Sequence, residues 1–115
     1  MKYWKTDEIP ARDYYAVIFC STKSANLENY KETDEKIMEL AMQQDGFLGY
    51  ESAGNLNEGI FISYWENMES IQKWREHAAH IAAKKEGIAR WYDRFLSQIC
   101  KVEHSHHFVR EKSNA

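Results

Sequence analysis

FLGYESAGNLNEGIFISYW, residues 47–65, is the stretch on which the fold turns. FLGYESA, 47–53, alternates well enough for a strand, GNLNEG, 54–59, carries turn residues throughout, and GIFISYW, 59–65, is again strand-like. Two β-forming runs joined by so short a polar segment make an antiparallel hairpin. FISYW also presents apolar or aromatic groups to both of its faces, so neither side of the sheet can be left entirely to water.

Reading outward from the hairpin gives the rest of the order. Upstream, the Asp-Gly pair at 45–46 ends an amphipathic helix. On a wheel of about 100° per residue, Leu27, Tyr30, Ile37, Met38 and Ala41 share one face, while Lys31, Glu35 and Glu39 lie off it or at its edge. Ser24 or Asn26 supplies the expected N-cap. Before this helix, YYAVIFCS, 14–21, reads as a strand buried on both faces, and residues 1–13 as an extended arm. Tyr3, Trp4 and Ile9 are the possible anchors of that arm, and Pro10 blocks regular pairing.

Downstream of the hairpin, Asn67 is placed to cap a second helix beginning at Met68, with Glu69 favourable in its first turn. Ile71, Trp74, Ala78, Ile81 and Ile88 fall within about a quarter-turn and predict its core face. Gly87 interrupts this helix, IARWYDRF follows as a short helical piece, FLSQICKVEH, 95–104, is the last strand, and HSHHFVREKSNA is a tail. The predicted organisation is an arm (1–13), a domain (14–108) and a tail (109–115). The element order βαββαβ is that of an α+β, ferredoxin-like domain, an antiparallel sheet with both helices on one face. An uncovered apolar sheet face calls for a partner, and two sheets packed face to face in a homodimer is the economical answer.

Composition narrows the function classes. The chain has 115 residues, enough for one domain with its own core. With 29% charged residues and a net charge of −3 there is no electrostatic case for a nucleic-acid surface. Aromatics at 14% are the outlier and point to a strongly apolar interior, an interface or an organic ligand. Cys20 and Cys100 are isolated and read as reduced, buried thiols. Neither a signal peptide nor a run of membrane-spanning length is present, so a cytoplasmic protein without a membrane partner is expected.

Chemistry concentrates in SYWENMESIQKWREHAAHIAAKKEGIARWYDRF, 63–95, which holds three of the four tryptophans and two of the five histidines. His77 sits at the edge of the apolar stripe, one turn from Trp74, and His80 lies further round near Lys73 and Lys84. Trp65 ends a strand, while Trp91 and Tyr92 follow the glycine break, positions that often seal the end of a cleft between helix and sheet. Each of these residues taken alone reads equally as packing. HAAH is an i, i+3 pair, and His104, His106 and His107 follow, yet no Cys or carboxylate stands at a matching ligand spacing, so no metal site is expected. No nucleophile elbow, phosphate loop or dinucleotide fingerprint occurs.

YYAVIF, GFLGYES, ISYWENMESIQKWREHAAH and the later G-IARWY, in that order, resemble the antibiotic-biosynthesis-monooxygenase-like domains of the dimeric α+β barrel superfamily over residues 14 to about 104. The resemblance implies a ferredoxin-like protomer, a homodimer joined sheet to sheet, and an apolar pocket between sheet and helices. That family includes cofactor-independent monooxygenases of polycyclic phenols, haem-degrading monooxygenases and small proteins of unassigned role. Trp74 falls where the haem-degrading branch has its pocket tryptophan. Lys84 stands where that branch has a histidine, and YYAVIFCS lacks its first-strand asparagine, so haem turnover is not expected. His80 matches a histidine expected in closer relatives.

The resulting expectation is a cofactor-independent monooxygenase that oxidises a small aromatic or enolisable substrate with O₂. The substrate's own carbanion supplies the electron, so the protein needs only a dry pocket and a base near neutrality. His77 or His80 is the candidate base. Trp65, Trp74, Trp91 and Tyr92, joined by Phe19 and Phe61, would line the pocket, and Arg90 or Arg75 would steady an enolate. The same cleft in a non-catalytic module would bind a small aromatic ligand or haem.

Overall fold

The computed structural model describes residues 1–111. The end of the expected tail, 112–115, lies outside the described residues. Strands β1 (Lys2–Trp4), β2 (Tyr14–Lys23), β3 (Phe47–Gly54), β4 (Glu58–Trp65) and β5 (Tyr92–Val102) form one antiparallel sheet in the order β1-β3-β4-β2-β5. Helices α1 (Tyr30–Met42), α2 (Met68–Glu76) and α3 (Ala78–Glu86) accompany it. This is the expected α+β, ferredoxin-like arrangement, with one strand added at an edge. No helix among the described residues is long and apolar enough to cross a membrane.

The central hairpin pairs β3 with β4, from Gly54 opposite Gly59 back to Phe47 opposite Trp65. Alternation along the strands then sorts side chains between the faces. Tyr15 and Val17 of β2 and Ile99 of β5 pack against a core of Ala41, Phe47, Trp65, Ile71 and Trp74, which identifies the helix-covered face. Their alternates, Ala16, Ile18 and Cys20, turn to the other face together with their register partners Tyr64, Ile62, Ile60, Leu96, Cys100 and the polar Gln98. That second face is apolar where it meets solvent, Ile60 being 50% and Leu96 46% exposed.

Five local expectations are corrected. The arm does pair: Lys2–Trp4 align with Gly49–Glu51 of β3, because Pro10 lies well beyond the three paired residues. Trp4 stacks on Tyr64 at 4.4 Å between ring centres and donates its indole N–H to Glu51 at 3.4 Å. Burial, then the neighbouring Glu51 and Tyr14, pushes the Tyr64 hydroxyl up to about 12. Neither Ser24 nor Asn26 caps α1. Asn29 precedes its first residue in the left-handed region (φ 62°) without a side-chain cap, and Ser24 is tied instead to the main chain at Arg90 and Trp91.

The expected second helix is broken at His77, whose extended backbone (φ −64°, ψ 132°) closes α2 and opens α3. The break turns α3 away from the stripe, so Ile81 is 41% and Ile88 61% exposed rather than in the core. Finally, IARWYDRF is not one helical piece. Gly87–Trp91 is a π-helical turn, and the last strand starts at Tyr92, three residues before the expected Phe95. A β-carbon at Gly87 would come within 2.8 Å of the Tyr92 ring, so this turn packs onto the strand only with glycine there. Cys20 is half-buried and Cys100 exposed, and both are free thiols, so the expectation of burial fails for Cys100.

Candidate functional site

The sequence-predicted site residues are held in two groups at opposite ends of β2. Trp65 pairs with Tyr15, whereas Tyr92 pairs with Lys23. Eight residues of strand separate these positions, about 26 Å at the usual rise.

At the Tyr15 end, Trp65 (1% exposed) and Trp74 (8% exposed) lie roughly parallel with ring centres 6.4 Å apart, and Phe47 meets Trp65 edge-on at 5.3 Å. The Trp65 indole N–H donates to Ser63 Oγ at 2.9 Å, which satisfies the one polar atom of a fully buried ring. Both histidines lean on the outer side of Trp74, the ring of His77 at 5.3 Å and that of His80 at 5.2 Å.

The two histidines have different employment. His77 Nδ1 accepts the main-chain N–H of Ala79 at 3.1 Å and so acts as the N-cap of α3. His80 Nδ1 is buried and meets no hydrogen-bond partner. Burial lowers the affinity of the His80 ring for a proton, a hydrogen bond with the Arg75 main chain opposes this, and the charges of Lys84, Arg75 and His77 add to the lowering. The lowered proton affinity favours a neutral ring at pH 7, with Nδ1 left unpartnered beside the Trp74 ring.

At the Lys23 end, Trp91 (3% exposed) donates its indole N–H to the Glu28 carbonyl at 2.8 Å. Tyr30 stands edge-on to both Trp91 (5.4 Å) and Tyr92 (6.2 Å), and Phe19 packs with Tyr92 and Phe95, each at 5.3 Å. Arg90 does not reach this cluster's interior with a free charge. It is paired with Glu86 and, at 3.6 Å, with Glu28. A surface hollow of about 340 Å³ borders it, walled by Glu32, Lys36 and Glu86 among others, and a second of about 280 Å³ adjoins the start of α2 at Asp45, Glu66 and Lys73. The first reaches Trp91 at the edge of its aromatic cluster, whereas the second is lined by polar and charged side chains.

Sequence reasoning missed two residues here. Asp34 is four residues after Tyr30 and seven before Ala41, which sets it in the middle of the apolar stripe of α1. Ala41 on that stripe is buried, Tyr30 and Ile37 are half-buried, and Asp34 is exposed, so solvent reaches the inward face of α1 at this turn. The opening is narrow: burial raises the Asp34 carboxyl, Lys23 opposes the rise and Glu35 adds to it. Lys23 Nζ also lies 5.7 Å from the centre of the Tyr30 ring. Burial raises Tyr30 and Tyr92 as well, and the hydrogen bond between their hydroxyls raises Tyr92 further, so both remain neutral phenols. The legible signal was a carboxylate on an otherwise apolar stripe. Among the described residues no three His, Cys, Asp or Glu side chains converge as a metal site would need.

A model of the antibiotic biosynthesis monooxygenase family matches residues 13–86. The chain belongs to this family. An uncharacterized protein of Bacillus subtilis strain 168, YqjZ, is 44% identical over 111 residues, covering 96% of this chain and 94% of its own. Among solved structures, SnoaB of Streptomyces nogalater, a cofactor-independent oxygenase, superposes with a TM-score of 0.69 at 9% identity over 81% of this chain and 96% of its own. Protein SO0527 of Shewanella oneidensis superposes with a TM-score of 0.70 at 8% identity, over 85% of this chain and 98% of its own. At such identities the likeness is one of fold.

Proposed function

We propose that this protein is a cytoplasmic, homodimeric, cofactor-independent monooxygenase acting on a small aromatic or enolisable substrate. The observation that carries the reading is His80: an imidazole on the Trp74 ring, favoured neutral, whose Nδ1 is buried and has no hydrogen-bond partner. Such a group can take a proton from a carbon or hydroxyl acid, and the carbanion so formed passes an electron to O₂ without a metal or flavin. Trp65 and Trp74 supply the dry surroundings in which a base is not solvated, while Trp91 and Tyr92, at the opposite end of β2, lie too far away to touch the same small substrate. His77 supports α3 through its cap and so positions His80. Family membership and the fold shared with SnoaB favour the same chemistry.

The dimer rests on the apolar face of the sheet, where Ile60 and Leu96 stand half in solvent beside Ile18 and Ile62. A second copy of that face is its natural cover. Sedimentation equilibrium at micromolar concentration should return about twice the chain mass of 13.6 kDa, and a monomer would remove this part of the proposal. The catalytic part is tested by oxygen uptake with a panel of anthrones and phenols. Wild-type protein should consume oxygen with at least one of them, and His80→Ala should not, while keeping near-normal melting behaviour.

A second reading has its own support. His77 is occupied as a helix cap and Arg90 is neutralised by Glu86 and Glu28, so two of the groups available for chemistry serve structure. Binding of the panel compounds without oxygen uptake by wild-type protein would make a non-catalytic module for small aromatics, or for haem, the better account.

A further inference from the structure

We infer that Asp34 is a specificity-determining residue: at the mouth between α1 and the adjoining ends of β2 and β5, its carboxylate accepts the O–H of a phenolic ligand entering the cleft. This goes beyond the reading above, at the opposite end of β2 from His80, and rests only on its premise that the protein takes a small aromatic molecule. Three observations converge on it. First, Asp34 occupies the inward stripe of α1 yet is exposed, which locates an opening where helix and sheet do not close. Second, the residues beside that opening are aromatic, Tyr30 at right angles to Tyr92 (89°) and Tyr92 edge-on to Phe19, and all three are only half-buried, so they offer ring surface to a flat ligand. Third, the carboxylates held in ion pairs among the described residues are Asp13, Glu28, Glu69 and Glu86, and Asp34 is not one of them.

An unpaired carboxylate in partly desolvated surroundings is an acceptor with no donor of its own. The neighbouring phenols do not provide one by necessity, since the Tyr92 hydroxyl is turned to Tyr30. Burial is the main cause of the raised Asp34 carboxyl, which expresses the same shortage of solvation. A ligand O–H relieves it, and a charge-assisted bond of this kind is worth about a tenfold change in affinity. An aromatic ether of the same size offers only an acceptor and gains nothing. Lys23 on β2 favours the ionised carboxylate, Glu35 on α1 disfavours it, and Tyr30 and Tyr92 stay neutral around it.

The test is calorimetric binding of 1-naphthol and of 1-methoxynaphthalene to the full chain. Wild-type protein should prefer the naphthol by about tenfold. Asp34→Ala, a change to the best helix former, should abolish that preference while leaving the ether's affinity unchanged. Asp34→Asn keeps an acceptor and should retain part of the preference without its pH dependence. In the wild type the preference should fade as pH drops through the Asp34 value, above 3.8, because a protonated carboxyl no longer offers an anionic acceptor. Lys23→Met should move that fade to higher pH. A preference that survives in Asp34→Ala, or equal affinity of wild type for both ligands, overturns the inference and leaves the aromatic cleft standing. Failure of wild type to bind either ligand removes both.

Discussion

The two ends of β2 carry aromatic clusters of similar size and opposite character. At the Tyr15 end, Trp65, Trp74, Phe47 and Ile71 are buried, and each is backed by the helices α1 and α2. At the Lys23 end only Trp91 is buried, and Tyr30, Tyr92, Phe19 and Phe95 are half-buried around charged neighbours. The difference follows from how each end is closed. A regular helix capped by Asn67, which accepts the Ser70 N–H at 2.8 Å, lies over the first. The second is closed by a π-helical turn, a form recurrent at functional sites, and by a helix start that has no side-chain cap. One end is closed over its aromatic rings, and at the other the rings stay partly in solvent.

Substitutions should separate the two ends in order of effect. Trp74→Ala removes a ring from the closed end and should cost about 3–5 kcal/mol in urea unfolding, since the walls cannot collapse onto so large a void. A loss below about 1 kcal/mol would mean that this end is no better packed than the other. Gly87→Ala strikes the open end, where the new methyl meets the Tyr92 ring at 2.8 Å. Overpacking of that kind should cost about 1–3 kcal/mol, and near-ultraviolet circular dichroism should report tyrosine disorder while the tryptophan signal of the closed end holds.

His77→Ala removes a cap and should lower stability by about 1 kcal/mol. If His77 were a surface residue only, the thermal midpoint would not move. The smallest effect expected is a pH dependence belonging to His80. Its folded value is lowered by burial, so the unfolded chain binds the proton more readily. Stability should therefore be full above about 6.5 and decline as pH falls from there toward the lowered folded value. In His80→Gln the decline over that window should shrink, and an unchanged slope would show that His80 is solvated in the native state.

Much of this architecture was legible. The hairpin at 47–65, the helix closed by Asp45-Gly46 and the Asn67 cap are short-range features, each decided by residues a few positions apart. The apolar stripe of α1 also stood out, and Asp34 was readable on it as the misfit. The break at His77 was not. WREHAAH contains neither glycine nor proline, and a helix is its local preference. His77 leaves the helical region where its ring finds the Ala79 N–H and its neighbour Trp74 faces the core, a tertiary circumstance.

The sequence by itself determined the βαββαβ order, the faces that α1 and α2 bury and the presence of a second apolar sheet face, because periodicity and turn chemistry act within a few residues. Only the tertiary structure decided that Lys2–Trp4 would join the sheet beside β3, that α3 would present His80 with a buried, unpartnered Nδ1, and that Asp34 would sit at an opening. Those three outcomes depend on strands and helices distant in the chain, and the energy of a contact exists only once both sides of it are in place.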